Sequence, residues 1–168
     1  LKGHLEAGQT ERALAYIWEL DDRLMQVDTL LKTGNAALDA VLSAKLAQAK
    51  AENIAVNLKA VVPEGLTLSD TELSMVVGNL LDNAIKFSRS GGILGLSLWK
   101  DSHKAYVSVR NLGDTIPDSE IALLFDRFHK PDRSRSRSRD GVGLGLYIVK
   151  TILNNPGEDI AVTSRDGA

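Results

Sequence analysis

The run Asn79-Leu80-Leu81-Asp82-Asn83-Ala84-Ile85-Lys86-Phe87 sets two carboxamides and an ammonium at offsets of four and three. Side chains at those offsets are neighbours on one face of a helix. Leu73, Val77, Leu80, Leu81 and Ala84 fall on the opposite, apolar face. Asn79, Asn83 and Lys86 on the exposed side of an otherwise buried helix suit a hydrated cation and phosphate oxygens. A polar stripe facing solvent has the same composition, so the run takes its meaning from the residues that follow.

Gly141-Val142-Gly143-Leu144-Gly145-Leu146 is glycine-rich and runs into a helical pattern. Glycines let the backbone approach a ligand closely, and helix N-termini attract phosphate. No Gly-Lys-Ser/Thr follows, so this is not a P-loop. The spacing and the preceding Arg-Ser run are wrong for a dinucleotide fingerprint. A glycine hinge before a helix is the plain alternative. Asn111-Leu112-Gly113-Asp114-Thr115-Ile116-Pro117 leaves a strand and turns. The Asn111 side-chain oxygen can accept from an adenine amino group, with Gly113 leaving room for the base; an Asx-type turn uses the same residues. The alternating run Arg133 to Arg139 lacks interleaved aromatics and lies inside a domain. It reads as a solvated loop, able to close over a triphosphate if its two flanks form a phosphate site.

These groups need elements to position them. Ala13, Ile17, Leu20, Leu24, Val27 and Leu31 give residues 10–31 the seam of a coiled coil or helical bundle. Thr33-Gly34-Asn35 breaks that helix. A second helix is expected over about 35–52, with Leu38, Val41, Leu42, Leu46 and Ala49 inward. Ile54 to Val62 alternates as a strand and is closed by Pro63-Glu64-Gly65. The asparagine helix spans 70–88. A hairpin follows, with strands over Ile93–Trp99 and Lys104–Val109 turning at Asp101-Ser102. Then come a short helix over 118–128, a polar loop to Asp140, a helix over 143–154 and a strand near Ile160–Ser164. The expected class is α+β: a two-layer α/β sandwich with its helices on one face of a mixed sheet.

The bulk numbers exclude several chemistries. The chain has 168 residues, 43% hydrophobic and 25% charged, with net charge −2 and no cysteine. Disulfides, thiolate zinc and thiol catalysis are therefore excluded, and nothing in the charge favours nucleic acid. His4, His103 and His129 are too scattered for a metal site. No apolar run approaches the roughly 20 residues that span a bilayer.

The order of the motifs is more specific than any one of them. An asparagine helix, Asn-x-Gly after a strand, Leu124-Phe125-Asp126-Arg127-Phe128, a polar lid, then Gly-x-Gly-x-Gly-Leu entering a helix: over residues 35–164 this resembles the ATP-binding domain of sensor histidine kinases, within the GHKL ATPase superfamily. Thr33-Gly34-Asn35, with Leu38-Asp39, Leu42, Lys45 and Ala49, is similar to the segment opening this domain in citrate-sensor and quorum-sensor kinases. The resemblance implies ATP and Mg²⁺ as cofactors. Asn83 would give its amide oxygen to Mg²⁺. Asn79 and Lys86 would face the phosphates, and Phe87 would border the nucleotide. Asn111 would meet adenine, with Gly113 and Ile116 lining the pocket. Lys130 and Arg135 would reach the outer phosphates, and Gly141, Gly143, Gly145 and Leu146 would form the backbone cradle.

The resemblance also divides the chain. Residues 1–32 would be the end of a dimerisation and phosphotransfer hairpin, forming a homodimer through the helix over 10–31. Residues 33–168 would be the catalytic domain, lacking a last strand. The phosphoacceptor histidine is expected upstream of Leu1, and the fragment alone should not phosphorylate itself. A response regulator is the expected partner, with no nucleic acid and membrane contact only through regions not in this chain. The location implied is the cytoplasmic side of a membrane-bound bacterial sensor. Two departures stand out: relatives usually have Asp at position 111 and a second glycine where Thr115 stands. Hydrolysing GHKL proteins, such as chaperones and topoisomerases, typically place Glu where Asn79 stands; an amide cannot act as their general base. A degenerate module that only dimerises is the third reading.

Overall fold

The computed structural model describes residues 32–102, 104–129, 143–154 and 157–165. All lie in one compact unit, Lys32–Ala168. The helix expected over 10–31 falls outside the described residues.

Helix α1 (Ala36–Ala51) opens where Asn35 caps it, its Oδ1 accepting from the Leu38 N–H at 2.9 Å. Such caps contribute about 1 kcal/mol. The other end of the same amide donates to Asp70 Oδ1 at 2.7 Å, tying the start of α1 to the start of α2 (Asp70–Phe87). Thr33 is buried beside it, its N–H and hydroxyl both donating to Asp39 Oδ1. The Thr-Gly-Asn break is thus a built joint.

Between α1 and α2 runs β1 (Ala55–Ala60); β2 (Ile93–Lys100) and β3 (Ala105–Asn111) follow α2. The sheet order is β1-β2-β3, with β1 parallel to β2 and β2 antiparallel to β3. A parallel pair needs a crossover, and α2 supplies it. Leu94, Leu96 and Leu98 are buried and stand opposite Asn111, Val109 and Val107 in register. That alternation defines the face on which α1 and α2 pack, while Gly95, Ser97 and Trp99 point to the other. Trp99 and Tyr106 stack there with ring centroids 5.1 Å apart. Helices on one face of a mixed sheet give the two-layer sandwich expected from sequence.

Leu73, Val76, Val77, Leu81, Ala84 and Ile85 form the buried face of α2. Leu80, expected there, is only half-buried. In α1 the core positions are Leu38, Leu42 and Ala49, with Val41 and Leu46 at the margin. Helix α3 (Asp118–Ile121) is one turn rather than the eleven residues expected. Beyond it the amides bond three residues back, Leu123 to Glu120 and Asp126 to Leu123, so the chain winds as successive turns. Helix α4 (Gly145–Asn154) packs on α2 and buries Val149 completely. Ile160–Ser164 is not a strand. The Ile160 N–H is taken by the side chain of Asp159. Ser164 meets its neighbour through its hydroxyl, which accepts from the Ile116 N–H at 2.9 Å.

A capping box starts α2. The Ser69 hydroxyl accepts from the Glu72 N–H, and the Glu72 carboxylate accepts from the Ser69 N–H and hydroxyl. The Ser69 side-chain and then backbone hydrogen bonds hold the Glu72 carboxyl below its ordinary value of 4.5. A lowered folded-state value means stability present above the ordinary value and lost as pH falls through the lowered one. Glu72→Gln should therefore be less stable than the parent chain at neutral pH. Urea midpoints of the two should converge as pH falls below 4.5; a gap constant with pH would contradict the assignment.

Candidate functional site

The stripe on α2 is built from its own backbone. The Asn79 amide nitrogen donates to the Met75 carbonyl, and that of Asn83 to the Asn79 carbonyl, each at 2.8 Å. Each bond occupies the nitrogen end, so the amide oxygen is the atom each side chain offers to a ligand. Both side chains are half-buried and therefore pre-positioned. Lys86 is half-buried as well, its ammonium 5.4 Å from the centroid of the Phe87 ring. Phe87 is 38% exposed, leaving an apolar surface at the end of the stripe.

The first residue of α4 closes onto this stripe. A Cβ built on Gly145 would lie 3.0 Å from Asn79 Oδ1 and 3.1 Å from Asn83 Nδ2. Only glycine brings the helix N-terminus this close to both amides. The first turn of α4 carries no acidic residue, so its unpaired N–H groups present positive potential to the same region. Gly143 has φ +75°, and a Cβ on it would lie 2.9 Å from the His129 carbonyl oxygen. Leu146 is half-buried within the same first turn.

At the other end of α2, the chain after β3 returns to the helix. Ser88 and Gly113 form an antiparallel bridge, and the Arg89 N–H donates to the Leu112 carbonyl at 2.9 Å. Arg89 and Asp114 pair at 3.1 Å on the surface. A Cβ on Gly113 would stand 2.6 Å from the Phe87 carbonyl oxygen and 3.1 Å from Asn111 Nδ2. Gly113 is thus the close contact that sets Asn111, the last residue of β3, beside the end of the stripe. Ile116 is held by Ser164.

The structure therefore gathers Asn79, Asn83, Gly143, Gly145 and Leu146 at one end of the site and Lys86, Phe87, Asn111 and Gly113 at the other; Ile116 is tied to Ser164 rather than to either group. Lys130, Arg135 and Gly141 lie outside the described residues. Sequence reasoning missed Glu120 and His129, whose side chains meet at 2.8 Å. They stand nine residues apart across a series of turns, a spacing that carries no periodic signal.

The donor set suits a nucleotide with one divalent cation. Among the described residues no cluster of three His, Cys, Asp or Glu is present, so these residues do not offer an all-protein metal cage. Mg²⁺ takes few protein ligands when phosphate oxygens and water complete its octahedron. The Asn83 amide, whose nitrogen is spent on the Asn79 carbonyl, has its oxygen to offer to such an ion, and Gly145 seats the start of α4 directly against both amides, where its N–H groups can meet phosphate oxygens.

Residues 68–168 match the family described as histidine kinase-, DNA gyrase B- and HSP90-like ATPase. The sensor protein CzcS of Cupriavidus metallidurans is 37% identical over 92 residues, covering 54% of this chain and 19% of its own length. The phosphate regulon sensor protein PhoR of Pseudomonas aeruginosa is 31% identical over 135 residues, covering 78% of this chain and 30% of its own. The solved mycobacterial sensor histidine kinase MprB has a TM-score of 0.58 at 32% identity, over 70% of this chain and 78% of that one. The chain thus spans less than a third of either curated relative. None of these three singles out the citrate- or quorum-sensing subtype.

Proposed function

Since this chain belongs to the histidine kinase-, DNA gyrase B- and HSP90-like ATPase family, we propose that it is the ATP-binding catalytic part of a two-component sensor histidine kinase. It would transfer the γ-phosphoryl group of Mg-ATP to a histidine outside residues 33–168. The observation that carries this reading is the seating of Gly145 against the amides of Asn79 and Asn83, with no carboxylate among the three.

Phosphoryl transfer asks for positioning and charge neutralisation more than for covalent work by the protein. Asn83 would hold Mg²⁺ through its amide oxygen, and the ion when bound would neutralise charge on the phosphate oxygens. Asn79, Lys86 and the N–H groups opening α4 would hold the phosphates. Lys130, Arg135 and Gly141 would add contacts from the intervening loop. Asn111 would accept from the adenine amino group, with Phe87, Gly113 and Ile116 around the base. An amide at position 79 cannot take a proton from water at neutral pH, which disfavours hydrolysis.

Residues 1–32 would pair with a second copy through the helix over 10–31, and the phosphoryl group would pass on to a response regulator. Among the described residues no helix is long and apolar enough to cross a membrane. We place this part on the cytoplasmic side of a membrane-bound sensor.

Phosphate release by the chain itself tests the choice of chemistry. The chain should bind Mg-ATP by calorimetry while releasing no steady stream of inorganic phosphate; multiple turnovers would establish a hydrolase instead. A second result concerns the base. Asn111→Asp should tighten ATP binding about fivefold, because a charged acceptor makes a stronger hydrogen bond than a neutral one. Calorimetry giving equal affinities for Asn111 and Asp would remove Asn111 from the adenine contact.

A further inference from the structure

We infer that Glu120 and His129 are a positioning pair that holds the glycine loop in register with the asparagine amides, and so sets how long nucleotide stays bound. The inference rests on the nucleotide reading above and adds two residues that lie on neither the stripe nor the loop.

The geometry forms a continuous chain of contacts. The Glu120 carboxylate on α3 accepts from His129 Nε2–H at 2.8 Å. The His129 and Glu120 side chains are only 20% and 26% exposed, so solvent competes with this bond less than at an open surface pair. His129 follows Phe128, whose φ is +63° although its side chain is large and 53% exposed. Bulky residues avoid that region, and such a backbone persists where surrounding contacts over-determine it. Two backbone bonds hold it: the Phe128 N–H donates to the Gly143 carbonyl at 3.2 Å, and the His129 N–H donates to the Asp126 carbonyl at 3.2 Å. The Arg127 guanidinium lies 4.7 Å from the Phe128 ring centroid. Gly143 in turn lies against the His129 carbonyl, where a Cβ would meet that oxygen at 2.9 Å. Two residues later, Gly145 meets Asn79 and Asn83. A shift of the His129 backbone therefore reaches the amides through a two-residue span that has no slack for a side chain.

Glu120 touches neither the amides nor the glycines by any bond described above. Its effect would run through His129, which makes it a positioning residue. A residue that only supported folding would change nucleotide binding in step with thermal stability. A positioning residue changes the nucleotide off-rate at a given stability, and its effect vanishes when its partner is already gone.

The test uses the full chain, a fluorescent ATP analogue with Mg²⁺, stopped-flow dissociation and thermal melts. Glu120→Ala and His129→Ala should each raise the off-rate about fivefold or more. The double variant should dissociate no faster than the singles. Glu120→Gln, which keeps an acceptor for His129, should recover most of the slow dissociation. Off-rates like the parent chain's in both single variants would overturn the inference, as would effects that multiply in the double variant or that track the loss of melting temperature. Asn83→Ala separates the two readings. If the parent chain binds Mg-ATP, Asn83→Ala does not, and Glu120→Ala is unchanged, this inference alone falls. If the parent chain binds no Mg-ATP, the nucleotide reading falls and takes the inference with it.

Discussion

Asn83→Ala should reduce Mg-ATP affinity by more than about 100-fold while leaving the melting temperature close to that of the parent chain. The two halves of that expectation come from different atoms of one side chain. The nitrogen end is spent on the Asn79 carbonyl at 2.8 Å. Its removal costs a single bond on a half-buried helix face, partly offset by the higher helix propensity of alanine, so stability should move by no more than about 0.5 kcal/mol. The oxygen end has no structural task in the contacts described, and it is the atom proposed for Mg²⁺. Replacing a sole protein ligand of a hard cation removes its anchor, and none of the described residues gathered around the stripe is a carboxylate that could substitute for it. Calorimetry with and without Mg²⁺, beside a thermal melt, checks both halves. Unchanged affinity at unchanged stability would show that Asn83 is no ligand; a large drop in stability would show that it is part of the core.

The second large effect belongs to Gly113→Ala. The added methyl would stand 2.6 Å from the Phe87 carbonyl oxygen, which is backbone and cannot swing aside. The Ser88–Gly113 bridge and the Arg89–Leu112 bond at 2.9 Å must then separate, or the end of α2 must move. Overpacking of this kind costs about 2–3 kcal/mol, or a fall in melting temperature of about 10 °C. Nucleotide affinity should fall as well, because the same methyl stands 3.1 Å from Asn111 Nδ2 and displaces the proposed adenine contact. Gly95→Ala is the control. Nothing lies within 4 Å of its Cβ position on the outer face of β2, so its stability should stay within about 0.5 kcal/mol of the parent's. Equal melting temperatures for the Gly113 and Gly95 variants would contradict the close approach at Phe87.

Much of this arrangement was legible in the residues, for identifiable reasons. The asparagine helix could be read because its apolar period is carried by Leu73, Val77, Leu81 and Ala84, all buried in the structure. The hairpin could be read because Ala105, Val107 and Val109 share one face, and the register sets them opposite Lys100, Leu98 and Leu96. The helix expected over 118–128 failed for a physical reason. Leu123, Leu124, Phe125 and Phe128 have a helix-like spacing, but Leu123 and Phe128 are exposed, and local i→i+3 bonds replace the longer helical ones. Apolar residues on a surface imitate a buried face when only their spacing is read. The strand near Ile160 failed because alternation alone does not say whether an edge is available to pair with. Within the site, the residue types of Asn79, Asn83, Gly143 and Gly145 marked them as candidates. Their convergence did not follow from any local pattern. It depends on α4 packing against α2, a contact between segments some 60 residues apart, and on Gly143 leaving room for the His129 carbonyl where a side chain would collide.

ATP held by these amides would serve transfer to histidine. The most direct measurement labels a protein extended upstream of Leu1 with radioactive γ-phosphate and Mg²⁺, then challenges the label with acid and base. A histidine kinase gives a stoichiometric label that acid removes and base does not, absent in Asn83→Ala. A chain that binds Mg-ATP yet yields no acid-labile label, or that turns ATP over to free phosphate instead, would contradict transfer to histidine.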